Sequence, residues 1–209
     1  MKIPFAKEGF VFIIPLLIIT ILMFLLSFYW AAVFGGLGFL FVTWFFRDPE
    51  RHIPNEPNVI VSPADGKITE IVTEKEPING KLCKRVTIFL SVFNVHVNRV
   101  PIAGTIEEIR YNPGKFLAAF NPKASMDNEQ NIILINNGKT HVFVKQIAGL
   151  IARRIVCWPK KGDYYESGQR YGLIRFGSRV DILLPETAKL SVACGDRVSG
   201  GKSIIGYLT

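Results

Sequence analysis

One stretch of the chain constrains its fold more than any other: no charged residue occurs from Gly9 to Phe46, which is 38 positions in a row. An α-helix rises about 1.5 Å per residue, so one helix of this length would span about 57 Å, against a membrane hydrocarbon core of roughly 30 Å. Two short crossings therefore fit better than one long crossing. We predict a transmembrane helical hairpin, with helices over about residues 10–28 and 31–46.

Basic residues flank this stretch on both sides, with Lys2 and Lys7 before it and Arg47 and Arg51 after it. A hairpin brings both flanks to one side of the membrane, and the positive-inside rule makes that side the cytoplasm. A signal peptide does not fit, because its apolar region is only about 7–15 residues long. One tilted helix stays open as an alternative, since Gly35–Gly38 can break the second crossing. We expect residues 1–46 to anchor a cytoplasmic domain of residues 47–209 to the cell membrane.

After Arg47 the pattern changes to short β-branched runs between Gly, Pro, Asn and Asp turns, which is typical of strands and hairpins. We therefore expect a mostly β domain, a β-sandwich or barrel. The predicted strands are Val59–Ser62, Lys67–Val72, Arg85–Leu90, Gly104–Arg110, Asn131–Ile135, Thr140–Ala148, Tyr171–Phe176 and Arg179–Leu184.

Two internal similarities lie within this domain. Residues 61–68 resemble residues 100–106, each with a strand, a Pro/Gly turn and a strand, and the glycine pattern of residues 162–172 is repeated at 195–206. The second pattern resembles the hairpins of biotinyl and lipoyl carrier domains, so we expect lipoyl-like hairpins. The carrier lysine turn is missing, but a non-catalytic membrane-tethered carrier or adaptor stays an alternative.

Composition excludes several classes of protein. A charged fraction of 20% with 49% hydrophobic residues excludes a disordered chain. Cys83, Cys157 and Cys194 are too few for a disulfide framework, and we expect small buried thiols in a reducing compartment. No cluster has metal-ligand spacing, so no metal is predicted. Nucleic acid is disfavoured, because no basic stripe with stacking aromatic residues occurs.

Three segments carry residues that can do chemistry. Asp65-Gly66 is a turn dipeptide with a carboxylate, and His96 lies in a predicted strand, where its usual pKa suits proton transfer. Along that strand His96 and Asn98 would share one face. The third segment places Gly177-Ser178 inside a strongly β-prone run, where glycine marks a bulge or a close backbone approach.

In their order and wording these segments resemble the phosphatidylserine decarboxylase proenzymes, in the short bacterial and archaeal branch that includes archaetidylserine decarboxylases. The resemblance covers nearly the whole predicted β domain. Four motifs carry it: Ser-Pro-Ala-Asp-Gly from Ser62, Leu-Ser-x-x-x-Val-His-x-x-Arg-Val-Pro from Leu90, Lys-Ala-Ser-x-x-Asn-Glu from Lys123, and Arg-Phe-Gly-Ser-Arg-Val-Asp from Arg175.

The resemblance implies that the chain cuts itself between Gly177 and Ser178. It implies a β chain of residues 1–177 and an α chain of residues 178–209, which stay together as a heterodimer. Ser178 would become a covalent pyruvoyl group, the cofactor, which forms a Schiff base with the substrate amine. The implied reaction is decarboxylation of phosphatidylserine to phosphatidylethanolamine in phospholipid biosynthesis.

Roles for further residues are implied in the same way. Asp65 matches the acidic residue associated with self-cleavage, and His96 matches a histidine that positions the headgroup or handles a proton. The longer bacterial enzymes carry a second histidine where this chain has Arg99. An Asp-His-Ser relay is therefore in question, and Arg99 is a candidate to bind phosphate or carboxylate, with a solvated surface charge as the alternative.

The net charge of +8 also suits a serine phospholipid substrate, because basic residues beside a bilayer attract anionic headgroups. Three questions stay open at this stage: ester-linked or ether-linked lipid, assembly into a homo-oligomer, and a pyruvoyl decarboxylase of a soluble amino acid as a second enzymatic alternative.

Overall fold

The fold is taken from a computed structural model, which describes residues 4–77, 80–114, 128–149, 154–175 and 178–209. The chain divides into two compact units, Met1–Glu50 and Arg51–Thr209. Each unit has its own secondary structure: the first is helical and the second is built from strands. The predicted mostly β domain preceded by N-terminal helices is confirmed.

The N-terminal unit is a pair of apolar helices. One turn of 3-10 helix, Lys7–Gly9, leads into α1, Phe10–Leu25, and a short turn leads into α2, Tyr29–Phe45. Helix α2 runs without a break through its glycines, and an added Cβ at Gly35 would come 2.6 Å from the Thr20 hydroxyl of α1. Glycine there allows the two helices to approach closely.

The ends of this unit are tied together by backbone hydrogen bonds. The amide of Ala6 donates to Phe46 at 2.8 Å, and the amide of Asp48 donates to Pro4 at 2.7 Å. Among the described residues, one helix, Lys7–Leu25, is long and apolar enough to cross a membrane, and Tyr29–Phe45 is a shorter apolar helix.

The second unit contains fourteen strands among the residues that the structure describes, and every strand predicted from the sequence overlaps one of them, although Phe176 of the predicted strand Tyr171–Phe176 lies outside the described residues. Their bounds are β1 Val59–Val61, β2 Gly66–Lys75, β3 Leu82–Leu90, β4 Val97–Arg99, β5 Gly104–Asn112, β6 Gln130–Asn136, β7 His141–Ala148, β8 Ile155–Cys157, β9 Tyr164–Tyr165, β10 Arg170–Ile174, β11 Ser178–Pro185, β12 Lys189–Leu190, β13 Arg197–Val198 and β14 Ile204–Tyr207.

These strands form one large and two small antiparallel sheets. The large sheet has the order β13-β2-β3-β11-β7-β6-β5-β9, and the small sheets have the orders β1-β14-β12 and β4-β10-β8. Strand β11 lies at the centre of the large sheet, between β3 and β7. Its even-numbered side chains Val180, Ile182 and Leu184 face the apolar core, and its odd-numbered side chains face the other way.

The domain consists of two equivalent halves. One half consists of β1, β2, β3, β11, β12, β13 and β14, and the strands β4 to β10, taken in chain order, are their equivalents in the other half. Half of the large sheet has the order β13-β2-β3-β11, and the other half has the equivalent order β9-β5-β6-β7. The small sheets β1-β14-β12 and β4-β10-β8 are equivalent in the same way. The second half is therefore inserted into the first, between β3 and β11. Ser178 is the first residue after the insertion, where the chain returns to the first half.

The two sequence similarities are the local signature of this duplication. Ile68 exchanges backbone hydrogen bonds with Gly195 and Asp196, and Ile106 exchanges the equivalent bonds with Gly162 and Asp163. All four bonds lie between 2.8 and 2.9 Å. The expected hairpin of residues 195–206 is corrected: its strands do not pair with each other, because β13 pairs with β2, and β14 pairs with β1 and β12.

The cysteine prediction holds only in part. All three cysteines are free thiols, but only Cys83 is buried, whereas Cys157 is partly buried and Cys194 is exposed. Cys194 is exposed because it lies in the turn that follows β12, where Gly195 takes a positive φ of 101°. Its thiol is therefore a surface group.

Candidate active site

Ser178 is the first residue of β11, one of the two central strands of the large sheet. It pairs with Leu90 of β3 and with Ala148 of β7. Its side chain is on the core side, together with Val180, and none of its surface is exposed. The Ser178 Oγ is buried and has no hydrogen-bond partner among the residues that the structure describes. Gly177, the other predicted cleavage residue, lies outside the described residues.

Asp65 is held in the turn between β1 and β2 by two different donors. One guanidinium nitrogen of Arg51, Nη2, lies 2.8 Å from Oδ2 and 3.2 Å from Oδ1 of the Asp65 carboxylate. The backbone amide of Gly200 donates to Oδ1 at 2.7 Å. Both charged side chains are largely buried, with 16% and 13% exposure. Such a charge-assisted arrangement fixes the direction of the carboxylate.

The sheet register brings Asp65 and Ser178 to the same end of the large sheet. Lys67 of β2 pairs with Phe89 of β3, which in turn pairs with Arg179 of β11. Neighbouring strands are about 4.8 Å apart, so the backbones of Asp65 and Ser178 are separated by two strand spacings, about 10 Å. The predicted carboxylate and the predicted nucleophile are therefore in one region of the fold.

His96 is buried immediately before β4, which begins at Val97. Its Nδ1 lies 2.9 Å from the carbonyl oxygen of Asn94, and because a carbonyl only accepts, Nδ1 carries the proton of this hydrogen bond. The carbonyl oxygen of His96 accepts from the amide of Ile174 at 3.3 Å. Ile174 ends β10, and the chain reaches Ser178 four residues later. His96 therefore lies beside the end of β10.

Arg99 is the last residue of β4, about 10 Å along the extended chain from His96. Only 5% of its surface is exposed, so the alternative of a solvated surface charge is wrong. Its Nη1 donates to the carbonyl of Gly168 at 3.0 Å, and its backbone amide donates to Pro63 at 2.9 Å. An added Cβ at Gly201, whose φ is +74°, would come 2.7 Å from Arg99 Cδ. The arginine therefore packs against the turns that surround Asp65.

Sequence reasoning missed a chain of buried amides on the core side of the large sheet. Asn131 Nδ2 donates to Gln146 Oε1 at 3.2 Å, and Gln146 Nε2 donates to Asn98 Oδ1 at 2.9 Å. All three residues are buried. Asn98 was visible in the sequence as the residue that shares a strand face with His96, but the strand pattern alone could not find its partners.

Two ionisable groups near this chain have pKa values raised by burial. Burial raises the pKa of the Cys157 thiol to about 11, although a hydrogen bond with the Asn131 side chain lowers it in part. Burial raises the pKa of Tyr171 well above its usual value. Both groups are therefore neutral at physiological pH, so neither of them places a charge next to the three amide side chains.

Comparison with known proteins identifies the family. The family model described as phosphatidylserine decarboxylase matches residues 39–206. The chain belongs to the phosphatidylserine decarboxylase family. The resemblance inferred from the four motifs is confirmed.

Similar curated proteins cover almost the whole chain. The phosphatidylserine decarboxylase proenzyme of Syntrophus aciditrophicus is 47% identical over 205 residues, which is 96% of each chain. Those of Geotalea uraniireducens and Desulfotalea psychrophila are 44% and 46% identical, and the matches cover 98% and 99% of this chain and 97% and 98% of those proteins. Membership of this family indicates an enzyme. Neither of the two alternatives, the non-catalytic adaptor and the decarboxylase of a soluble amino acid, is favoured.

Proposed function

We propose that this chain is a proenzyme that cuts its own backbone between Gly177 and Ser178 and then decarboxylates phosphatidylserine to phosphatidylethanolamine. Family membership supports the reaction class and the synthesis as a proenzyme. One observation carries the assignment of the nucleophile. The Ser178 hydroxyl is buried at the start of the central strand and has no partner within the described part of the chain.

Self-cleavage begins with the Ser178 hydroxyl, which adds to the carbonyl carbon of Gly177. The amide becomes an ester as the Ser178 nitrogen leaves and takes up a proton. Removal of the Ser178 α-proton then expels the Gly177 carboxylate, which ends the chain 1–177 and leaves dehydroalanine at 178. Addition of water and loss of ammonia convert this residue to a pyruvoyl group. Serine is required, because its β-oxygen both attacks and later leaves.

The position of Ser178 fits a cofactor that is made from the chain itself. Any group at residue 178 stays at the end of β11, which is bonded to β3 on one side and to β7 on the other. The pyruvoyl group would supply a carbonyl that condenses with the substrate amine and accepts the electron pair that remains when carbon dioxide leaves.

Three neighbouring residues have proposed roles. Asp65, fixed by Arg51 and Gly200, takes part in the proton transfers of self-cleavage. His96 donates or accepts the proton at the substrate carbon through Nε2, since Nδ1 is bonded to Asn94. Arg99 holds the turns around Asp65, and its guanidinium is the candidate to bind an anionic group of the substrate.

The two products are proposed to remain one molecule as a heterodimer of a β chain, residues 1–177, and an α chain, residues 178–209. The short chain contributes β11 to the centre of the large sheet, β13 to its edge, and β12 and β14 to a small sheet. Its apolar side chains are part of the same core as those of the longer chain. Separation would therefore expose this core to water.

We also propose that the N-terminal helices hold the enzyme at the cell membrane, with the β domain on the cytoplasmic side. Helix Lys7–Leu25 is long and apolar enough to cross, and both helices expose large apolar side chains to their surroundings. A membrane-bound enzyme meets a lipid substrate in two dimensions, which suits a phospholipid better than a soluble amino acid.

Activity on vesicles tests this proposal. The purified chain is incubated with phosphatidylcholine vesicles that contain phosphatidylserine, or with free serine, and released carbon dioxide is measured. We expect release from the vesicles only, and none with Ser178→Ala. Release from free serine alone would favour the amino acid decarboxylase, and no release from either would favour the adaptor.

A further inference from the structure

The amide chain that ends at Asn98 has a direction. Asn131 donates to Gln146, and Gln146 donates to Asn98, so each amide uses its oxygen to accept from the previous residue. Accepting from Gln146 leaves Asn98 with its Nδ2 as the outgoing donor. Hydrogen bonds that run in one direction polarise one another, which strengthens the last donor of the chain.

The last donor of this chain has nothing to bind among the described residues. Asn98 has no exposed surface, and its Nδ2 is buried without a hydrogen-bond partner in the described part of the chain. Buried donors in native proteins are nearly always satisfied, so a spare donor held in place by an ordered network calls for a functional explanation. Other buried polar atoms of this core in the same condition are the Tyr171 hydroxyl and the Ser178 Oγ.

The Ser178 side chain and the Gln146 side chain that bonds to Asn98 lie on the same side of the large sheet. Ser178 pairs with Ala148, and Val180 pairs with Gln146, so the side chains of Ser178 and Gln146 both face the core. As diagonal neighbours on adjacent strands, their backbones are about 7–8 Å apart. The Gln146 side chain extends to Asn98 and over Gly172 of β10, where an added Cβ would come 3.2 Å from Nε2.

Glycine at 172 is therefore part of this arrangement. Asn98 pairs with Gly172 between β4 and β10, and a larger residue would meet both the Gln146 amide and the Val156 carbonyl. The absence of a Cβ at Gly172 leaves room for the Gln146–Asn98 hydrogen bond between the two sheets. His96 lies two residues before Asn98, immediately before β4 begins.

We propose that Asn98 is the oxyanion donor of self-cleavage, in which its Nδ2 binds the oxygen of the carbonyl that the Ser178 hydroxyl attacks. This inference rests on the proposed self-cleavage at Ser178. When the hydroxyl oxygen adds to the carbonyl carbon, the electron pair of the double bond moves to the carbonyl oxygen. A preorganised donor stabilises this charge, and the charge disappears when the Ser178 nitrogen leaves. Gln146 is the positioning residue that aims Asn98.

A pulse-chase experiment on the full-length chain in growing cells tests the proposal. The chain is labelled with radioactive methionine, and its conversion to the fragment of residues 1–177 is followed over time. Loss of one oxyanion donor slows a reaction by about 100-fold or more, so Asn98→Ala is expected to slow conversion by that factor. Gln146→Met, which releases Asn98 to rotate, is expected to slow it less.

The matched control is Val100→Ala. Val100 is also buried next to β4, but its side chain has no polar atom, so conversion at the wild-type rate is expected. Asn98→Asp, measured at pH 8, keeps the shape and the acceptor for Gln146 but replaces the donor, and slow conversion is expected. Folding of each variant is checked by limited proteolysis.

Hydroxylamine separates the first step of cleavage from the later ones, because it cleaves an ester between residues 177 and 178. Asn98→Ala is expected to accumulate no such ester. The proposal is overturned if any folded Asn98 variant converts, or forms the ester, at the wild-type rate. If the wild-type chain itself is not converted, self-cleavage fails as the proposed function, whereas conversion of both wild type and Asn98→Ala refutes the role of Asn98 alone.

Discussion

The Asp65 carboxylate and the Arg51 guanidinium form an ion pair of 2.8 Å between Oδ2 and Nη2. Arg51 is the first residue of the β domain, directly after the helical unit. From the sequence, Arg51 belongs to the basic flank of the membrane segment. In the structure it is one of two groups that fix the direction of the proposed catalytic carboxylate.

Arg51→Met is therefore expected to slow self-cleavage. A hydrogen bond to a charged group contributes about 1.5–3 kcal/mol, so the loss predicts a reduction in rate of about tenfold or more. The control is Arg47→Met, which removes a charge from the same flank but leaves Asp65 untouched. Pulse-chase labelling measures both rates. Equal rates for the two variants would show that Asp65 does not depend on Arg51.

His96→Ala is expected to affect turnover more than maturation. The Nδ1 proton is engaged by Asn94, which orients the ring toward proton transfer at Nε2. General acid or base groups contribute about 100-fold or more, so the matured variant should lose at least that factor in kcat. Mass analysis measures maturation, and carbon dioxide release from vesicles measures kcat. Wild-type kcat in the matured variant would remove His96 from the site.

Asp181→Ala is expected to destabilise the β domain strongly. Asp181 is 1% exposed and accepts from Arg179 Nε at 2.7 Å and from Nη2 at 3.0 Å. Its removal leaves the buried Arg179 guanidinium with the more distant Glu70 carboxylate, 3.8 Å from Nη2, and breaking a buried pair costs about 3–5 kcal/mol. Urea denaturation of the detergent-solubilised protein measures the loss.

Glu107→Ala is the control for this measurement. Glu107 pairs with His141 at 3.0 Å, but both side chains are well exposed, so the change should cost at most about 1 kcal/mol. A loss for Asp181→Ala as small as that for Glu107→Ala would show that the buried pair contributes little.

Lys145→Met predicts a pH-dependent gain in stability. Burial lowers the pKa of Lys145, although the facing Asp181 raises it in part. The charged form is therefore destabilising in the folded state below this lowered pKa, and the cost disappears as pH rises toward the unfolded value of about 10.4. The variant should unfold at a higher temperature than wild type at pH 7.

The difference in Tm between Lys145→Met and wild type should shrink as the pH rises from 7 to 10. Lys139→Met serves as the control, because Lys139 is exposed and its replacement should leave Tm unchanged at every pH. A Lys145→Met variant that is less stable than wild type at pH 7 would contradict this interpretation.

Local patterns in the sequence predicted the strands well, because β-branched runs between turn residues depend on neighbours along the chain. The repeated Gly-Asp turns also pointed to the duplication, since Asp163 and Asp196 make equivalent turns. The pairing of strands was not predictable in this way. Insertion of one half into the other separates β3 from its neighbour β11, so adjacency in sequence does not give adjacency in the sheet.

The sequence predicted the residues of the site only where they belong to a recognisable motif. Asp65, His96 and Ser178 stand in such motifs. The register brings Asp65 and Ser178 to one end of the sheet, and His96 lies beside the end of β10. The Arg51–Asp65 pair and the Gln146–Asn98 bond join residues 14 and 48 positions apart, so only the folded chain shows them.

The mass spectrum of protein purified from cells tests the central claim most directly. We predict two polypeptides that copurify, residues 1–177 and residues 178–209, with the second blocked at its N-terminus and lighter by one ammonia than the serine form. A single intact chain of 23.5 kDa would contradict self-cleavage at Ser178 and, with it, the proposed origin of the catalytic group.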